Sequence, residues 1–596
     1  MDTMTGLKRT NYCNDFTAAS VGADVTVCGW TAKQRDLGGL IFIDLRDRTG
    51  VVQLAFDDST DRAVFEKAAT VRSEFVLMAH GTVRERSSKN KDIPTGDIEI
   101  FVTDLRILGK SETPPFEVTD DVNTNELNRL KYRYVDLRRP VLQKNILMRH
   151  KIAKVARDYF DENGFLEIET PMLIKSTPEG ARDFLVPSRI HNGEFYALPQ
   201  SPQLYKQLCM VAGFDRYFQI ARCFGDEDLR ADRQPEFTQI DVEMSFVEME
   251  DVLNMAEGFM KRIFKEILNI DIPAIPRMTF KDAMERYGSD KPDTRYGMEI
   301  YDLSDLVKDC GFGVFEGAVN GGGSVRAITA KNAAGTLSRK VINKLTDEAK
   351  GIGAKGLAWV RWTEEGCTSS FGKFISEEKM QEILTRGGVE QGDVVLIIGD
   401  TNNGHVLSIL GSLRQMVAKR LDLIPEGMYN LLWIIEMPFF EFDEDLGEWV
   451  AMHHPFTAPL EECLPYLESD KGNVRAQSYD LVLNGVELSS GSIRITDPEL
   501  QSRIFDLLGM TEEEAMNKFG FLINAFKYGA PPHGGFGLGL DRLCMTLLNA
   551  ETLRDVVAFP KIKDASEPMT DCPSDVDAEQ LAELGIAVVT EAPDAE

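Results

Sequence analysis

One dipeptide constrains the fold of this chain more than any other. It is Asn484-Gly485, set within Ser478-Tyr-Asp-Leu-Val-Leu-Asn-Gly-Val-Glu-Leu-Ser-Ser-Gly491. Asn-Gly between two alternating runs signals a two-residue hairpin, because both turn positions need positive φ. The pairing it sets puts Val482 opposite Glu487 and Asp480 opposite Ser489. Strand side chains alternate with period two, so Asp480 and Glu487 become diagonal neighbours on one face. Two carboxylates so placed suit Mg2+, which takes oxygen ligands and keeps phosphate or water as the others. A polar outer face carrying two unrelated acids produces the same pattern. Arg494 lies seven residues beyond Glu487 and would point the other way on an unbroken strand, so Ser489-Ser-Gly491 is where a bulge is expected to turn it inward.

The 596 residues suffice for three or four domains, each with its own core. No apolar run approaches the ~18 residues that span a bilayer, and Met1–Thr10 lacks the apolar stretch of a secretory signal. A cytoplasmic protein with no membrane partner is expected. Nine cysteines, an odd count with no Cys-x-x-Cys pair, argue against a disulfide framework and a zinc cluster. The net charge of -30 alone opposes a nucleic-acid partner. Local charge does not: Arg129–Lys154 carries nine Lys or Arg against one acid, Asp136, and Arg84–Lys91 forms a second basic cluster. Solvated charged faces give such runs too.

Five short strands are expected before residue 110: Val25–Trp30, Leu40–Asp44, Val51–Phe56, Phe75–Gly81 and Ile98–Leu105, separated by turn signals such as Gly38-Gly39 and Thr49-Gly50. They fit a small OB-type barrel, a fold that binds single strands through aromatics and cations. Helical spacing over Val141–Asn163 ends at Gly164, and an alternating strand Phe165–Pro171 follows. Ser201-Pro202 reads as N-cap and first helical residue, placing Gln203 and Lys206 on one helix face. Gly288-Ser-Asp-Lys-Pro-Asp-Thr-Arg295 opens a domain-sized stretch with strands Gly356–Trp362 and Asp393–Ile398 and a helix Gly411–Asp422. The tail beyond Lys563 has no basic residue, and a short helix is expected over Ser574–Leu584.

Two distant segments carry a resemblance. Arg222-Cys-Phe-Gly-Asp-Glu-Asp-Leu-Arg-Ala-Asp-Arg-Gln-Pro-Glu-Phe-Thr-Gln-Ile-Asp241 and Gly537-Leu-Gly-Leu-Asp-Arg542 resemble motifs 2 and 3 of class II aminoacyl-tRNA synthetases. The 141–171 helix and strand resemble motif 1, the dimer interface of that class. Gln200-Ser-Pro-Gln-Leu-Tyr-Lys-Gln207 and the insertion are similar to those of bacterial aspartyl-tRNA synthetases. The resemblance implies an α+β multidomain fold: an OB barrel for the anticodon (1–112), a hinge (113–140), an antiparallel-sheet catalytic domain in two parts (141–287 and 426–562), an inserted α/β domain (288–425) and an acidic extension (563–596).

It also implies the chemistry. ATP and Mg2+ activate L-aspartate to an adenylate, and the aspartyl group passes to the terminal 3′-hydroxyl of tRNA-Asp in a homodimer joined through motif 1. Glu179, Gln203, Lys206, Asp241, His453 and Arg494 match the aspartate site. Gly225, Asp226, Glu227, Gln234, Phe237, Glu487, Gly539, Leu540, Asp541 and Arg542 match the ATP site, with Phe237 under adenine and Arg542 over it. Glu227, Arg494 and Arg542 are the implied catalytic residues, Asp480 and Glu487 the metal ligands, and Arg35, Phe42 and Gln53 the anticodon readers. Motif 2 normally reads Phe-Arg-x-Glu, and Gly225 stands in the arginine's place. Slow adenylate formation is the expectation, unless Arg230 or Arg233 supplies the charge. The alternatives are a catalytically impaired tRNA-binding relative, a synthetase for asparagine or lysine, and one that also charges tRNA-Asn, against which Leu37 and Lys89 weigh.

Overall fold

Alternation closes the N-terminal barrel. Its strands run Asp24–Asp36, Ile41–Asp47, Gly50–Phe56, Val76–Glu85 and Ile98–Gly109, each longer than its apolar run suggested. Inward Val27, Ile41, Ile43, Leu45, Val52 and Leu54 are fully buried, and closure comes from a short parallel contact of Leu54 with Ile100 and Ala55 with Phe101. Gly81 marks a close approach of two strands: a Cβ there would lie 2.0 Å from the Phe101 carbonyl oxygen. The helix Arg62–Thr70 was not anticipated. Asp61 caps it by accepting from the Ala63 and Val64 N–H groups, and it covers the barrel core with Ala68.

The computed structural model describes residues 1–177, 181–227, 233–443 and 447–589. They fall into two compact units. One is formed by Met1–His150 and Ala550–Asp577 with Arg233 and Gln234; the other by the remaining residues from Lys151 to Asn549 and the segment after Asp577. In the first unit much of the basic run is internal. Fully buried Asp136 gathers Arg133 at 2.7 Å, Arg139 at 3.0 Å and Arg129 at 3.9 Å. Arg138 pairs with buried Glu74 at 2.9 Å and lies over Trp30. Four of the nine cations therefore hold the fold together, and the remaining five are the part of the run left for a solvated face or a nucleic acid.

In the second unit an eight-stranded sheet takes the order Arg277–Thr279, Leu431–Ile435, Ser478–Leu483, Val486–Ile493, His533–Gly539, Glu236–Ser245, Arg216–Phe224, Leu166–Glu167. Its interior pairs are antiparallel and the two outermost are parallel. The strand expected over Phe165–Pro171 is only Leu166–Glu167: past Ile168 the Thr170 hydroxyl, not its backbone, makes the next contact, to Gln219 Oε1 at 2.9 Å. The preceding helix is Pro140–Glu162, and Gly164 stops it at φ +76.

A second, five-stranded antiparallel sheet takes the order Tyr301–Asp302, Ser324–Ala330, Val394–Asp400, Ala358–Thr363, Gly366–Ser369. Its central strands Ser324–Ala330 and Val394–Asp400 are covered on both faces, one by the Arg339–Gly351 and Asn403–Arg420 helices, the other by Gly313–Asn320 and Glu377–Arg386. The tail helix is Ala578–Glu583, shorter than expected. All nine cysteines are free. Among the described residues no helix is long and apolar enough to cross a membrane.

Candidate active site

Register places the site on one sheet face. Asp241 pairs with Gly537, Gly537 with Ser490, and Ser490 with Asp480, so a single row crosses four strands. The next row holds Glu243, Gly535, Ser492 and Ser478. Directly opposed side chains share a face, and glycines at 535 and 537 leave it open in the middle. A Cβ at Gly537 would stand 3.5 Å from Asp241 Oδ2, inside the space the row encloses.

The hairpin turns at Asn484-Gly485 with Val482 opposite Glu487, as expected. Asp480, however, faces Ser490, not Ser489, because Leu488 is an extra residue opposite the Leu481–Val482 step. That bulge sits just before Ser489-Ser-Gly491, not within it. It reverses the alternation, so Glu487, Ser490, Ser492 and Arg494 share the face of Asp480. Asp480 Oδ1 is buried with no partner. Burial first, and Glu487 beside it second, push the Asp480 carboxyl up to about 8. An enclosed, partnerless oxygen next to a like charge fits a cation.

Two buried cations meet two buried acids on the same face. Arg494 forms a fork on Glu243, Nε to Oε1 and Nη2 to Oε2, both 3.0 Å, while Nη1 reaches the Ser492 hydroxyl and His454 Nε2. Lys206 Nζ lies 2.6 Å from Asp241 Oδ1 and 3.5 Å from Glu243 Oε2. Burial opposes the charge on Glu243, but Arg494 and then Lys206 outweigh it and hold its pKa below the usual range. For Asp241 burial outweighs Lys206 and the pKa rises. Asp241 Oδ2, Gln203 Nε2 and His453 Nε2 are enclosed without partners. Burial lowers His453 to about 4, so its ring is neutral.

Lys206 and Gln203 ride on the helix Gln203–Val211, which begins one residue later than expected, with the Ser201 hydroxyl accepting from the Gln203 N–H at 3.3 Å. Behind it Gln207 Oε1 meets His533 Nε2 at 3.2 Å. Glu243, His454 and Ser492 were missed in the sequence. For Glu243 the signal was present, since it follows Asp241 by two on a strand and must share its face.

The nucleotide-site candidates are placed by a long-range tie: the Thr238 N–H donates to Asp541 Oδ2 at 3.0 Å, setting the Leu540–Leu547 helix against the strand that carries Phe237. Arg542, third in that helix, donates from Nη1 to the Glu487 carbonyl at 3.2 Å. Gly225 lies past the end of its strand, its N–H donating to the Pro235 carbonyl at 2.9 Å. Among the described residues, a Cβ there would meet Ala181 Cβ, at 3.7 Å. Arg222 is engaged by Glu236 at 2.7 Å and Thr238 at 3.3 Å. The Asp226 N–H donates to the Arg182 carbonyl at 3.1 Å, and Glu227 is exposed. In the first unit the Gln234 amide exchanges hydrogen bonds with the Lys561 backbone at 2.8 and 3.1 Å. Glu179 and Arg230 lie outside the described residues.

On the barrel, Arg35, Phe42 and Gln53 come together. Arg35 donates to Gln53 Oε1 at 3.0 Å and to Asp44 at 2.8 Å, with its guanidinium 5.7 Å from the Phe42 ring centroid. Arg86 also donates to Gln53, at 2.8 Å, and Arg84 lies over Phe101 at 4.7 Å. Cations stacked on aromatics are the elements from which single-strand platforms are built.

Fold and site together define a class of protein. Residues 125–563 match the family model of class II tRNA synthetases (D, K and N), and residues 25–108 that of the OB-fold nucleic acid binding domain. A curated aspartate–tRNA ligase of Ruminiclostridium cellulolyticum is 56% identical, covering 98% of this chain and 99% of its own. An aspartate–tRNA(Asp/Asn) ligase of Halothermothrix orenii is 53% identical, covering 98% and 100%. The chain belongs to the aspartate–tRNA ligase family of class II tRNA synthetases. Two solved structures share the fold: asparaginyl-tRNA synthetase from Pyrococcus horikoshii with asparaginyl-adenylate (TM-score 0.58, 16% identity, 93% of this chain and 98% of that one) and a putative aspartyl-tRNA synthetase from Leishmania major (0.60, 20%, 94% of each).

Proposed function

We propose that this protein joins L-aspartate to tRNA-Asp in two steps, with ATP as the activating substrate and aspartyl-adenylate as the intermediate. The observation that carries the reading is the buried pair of cations, Arg494 and Lys206, on the same sheet face as the Asp480–Glu487 pair. Glu243 fixes the plane of Arg494 through Nε and Nη2, leaving Nη1 to turn from His454 and Ser492 to the side-chain carboxylate of aspartate. A rigid guanidinium fork favours a carboxylate over the amide of asparagine or the ammonium of lysine. Asp241 Oδ2 is a free acceptor suited to the substrate ammonium, and Gln203 Nε2, a donor, suits a carboxylate oxygen.

Asp480 and Glu487 fit a magnesium ion, and among the described residues no larger group of metal-binding side chains gathers anywhere. Bound there, the ion would balance phosphate charge as the aspartate carboxylate attacks the α-phosphate. Phe237 and Arg542 would enclose adenine, Arg35, Phe42 and Gln53 would read the anticodon, and motif 1 would join two copies. The domain bounds follow the same reading, with 288–425 as the insertion. Relatives named for both tRNAs favour a second reading in which tRNA-Asn is also charged.

The test is pyrophosphate exchange with aspartate, asparagine and lysine in parallel, followed by charging of tRNA-Asp and tRNA-Asn. Exchange with asparagine or lysine and not aspartate would overturn the reading.

A further inference from the structure

The segment Gly288–Arg295 is unused by the site as described, yet it is held from both sides. Gly288 ends the Phe280–Tyr287 helix at φ +65, and a Cβ there would lie 2.0 Å from the Leu407 carbonyl oxygen, so the Asn403–Arg420 helix rests on its backbone. From that helix buried Arg414 donates to the carbonyls of Asp293 at 3.2 Å, Gly297 at 2.5 Å and Met298 at 2.8 Å. Arg295 closes a fork on Asp293 at 2.9 and 2.7 Å, and Asn430 donates to the Thr294 hydroxyl at 3.1 Å. On the opposite side Asp293 lies against the Asn484-Gly485 turn: a Cβ at Gly485 would stand 3.1 Å from its Cβ.

So clamped, the segment turns sharply, the Lys291 N–H donating to the Ser289 hydroxyl at 3.1 Å. Lys291 Nζ then lies 3.9 Å from Glu487 Oε2 and 3.5 Å from Asp290 Oδ2. Both Asp290 and Lys291 act electrostatically on Asp480. The Lys291 side chain is 46% exposed, its contact with Glu487 is longer than a hydrogen bond and its bond to Asp290 is long, so the ammonium is anchored at its base and loosely held at its tip.

We propose that Lys291 is a further nucleotide-contacting residue: it neutralises Glu487 before ATP arrives and meets the β- and γ-phosphates once ATP is bound. Its cation stands at the carboxylate pair, in a site where Gly225 brings no charge. The proposal rests on the ligase reading and deepens it. It also gives the inserted domain a direct part in the chemistry, through the helix that holds the segment.

Calorimetric titration of the full chain with ATP and, separately, with AMP, both in Mg2+, tests it. Lys291→Met should weaken ATP binding roughly 10- to 100-fold, the worth of a hydrogen bond to a charged group, and leave AMP within about twofold. Lys291→Arg should recover most of the ATP affinity. Unchanged ATP affinity in Lys291→Met, or equal loss for ATP and AMP, overturns the proposal. An unaltered chain that binds no ATP overturns the ligase reading and the proposal together, a distinct result.

Discussion

Arg494 and Arg35 each lie beside a carboxylate at hydrogen-bond distance, in opposite surroundings. The Arg494–Glu243 pair is 1% and 0% exposed; the Arg35–Asp44 pair is 39% and 24% exposed. Inside the catalytic sheet neither charge can be left alone, since an unpaired buried ion costs several kcal/mol. The buried cluster is therefore assembled within the fold itself, with Glu243 and Asp241 holding Arg494 and Lys206 in place. On the barrel, water screens the Arg35–Asp44 pair, so exchanging that carboxylate for another partner costs Arg35 little. On the proposed function, fixed geometry in the first region suits selection of a small substrate, and the exposed pair in the second suits adaptable contact with tRNA.

The sharpest way to break this comparison is Arg494→Leu, which leaves buried Glu243 with the more distant Lys206, at 3.5 Å, as its remaining cation partner. It should cost about 3–5 kcal/mol of stability and abolish aspartate-dependent exchange, and urea unfolding followed by tryptophan fluorescence reads the first effect. Adding Glu243→Leu should recover most of the stability and none of the activity; if it recovers nothing, the charges do not act as a pair.

Next in size, Gly225→Arg should raise the exchange rate about 10²- to 10³-fold, the usual worth of one charged donor at a reacting phosphate. A Cβ at this position meets Ala181 Cβ at ordinary contact distance, 3.7 Å, so stability should hold. An unchanged rate would show that another group already meets the phosphate.

A pH series with and without Mg2+ sharpens the electrostatic contrast. Asp480 has its pKa raised to about 8 in the fold, against about 3.9 unfolded. Between these values the folded chain holds more protons than the unfolded one. Stability from this group is thus complete below about pH 4 and lost as pH rises toward 8, by at most about 1.4 kcal/mol per unit. Thermal midpoints in EDTA should show that decline, and Asp480→Asn should flatten it. Mg2+ should stabilise the unaltered chain more at pH 8 than at pH 5.5.

The smallest effect belongs to the barrel. Arg35→Ala should change stability by less than about 1 kcal/mol and weaken tRNA-Asp binding by about 0.5–1 kcal/mol, measured by filter binding. A stability loss as large as that of Arg494→Leu would erase the distinction between the two regions.

How much of this was legible varied residue by residue. The hairpin at Asn484-Gly485 was readable because turn chemistry acts within four residues, and so was the need for a bulge before Arg494. The bulge's place at Leu488 was not, since either side of Ser489-Ser-Gly491 satisfies the same count. Helix Pro140–Glu162 was found to within a residue, whereas Arg62–Thr70 was overlooked, its cap Asp61 lying in a polar stretch with weak periodicity. The basic run at Arg129–Lys154 looked like a surface because sequence does not show which cations are buried; Asp136 collects three of them.

Acting over a few residues, the sequence by itself determined the strands, the turns and the face on which each acid or base stands, because backbone preference and alternation are local. Only the tertiary structure decided that Arg494 grips Glu243 from 251 positions away, that Asp541 accepts the Thr238 N–H across 303, and that Lys291 stands by Glu487. The physical reason is that the strength of a charge depends on how much water remains around it. Packing between distant segments sets that, and no single segment contains it.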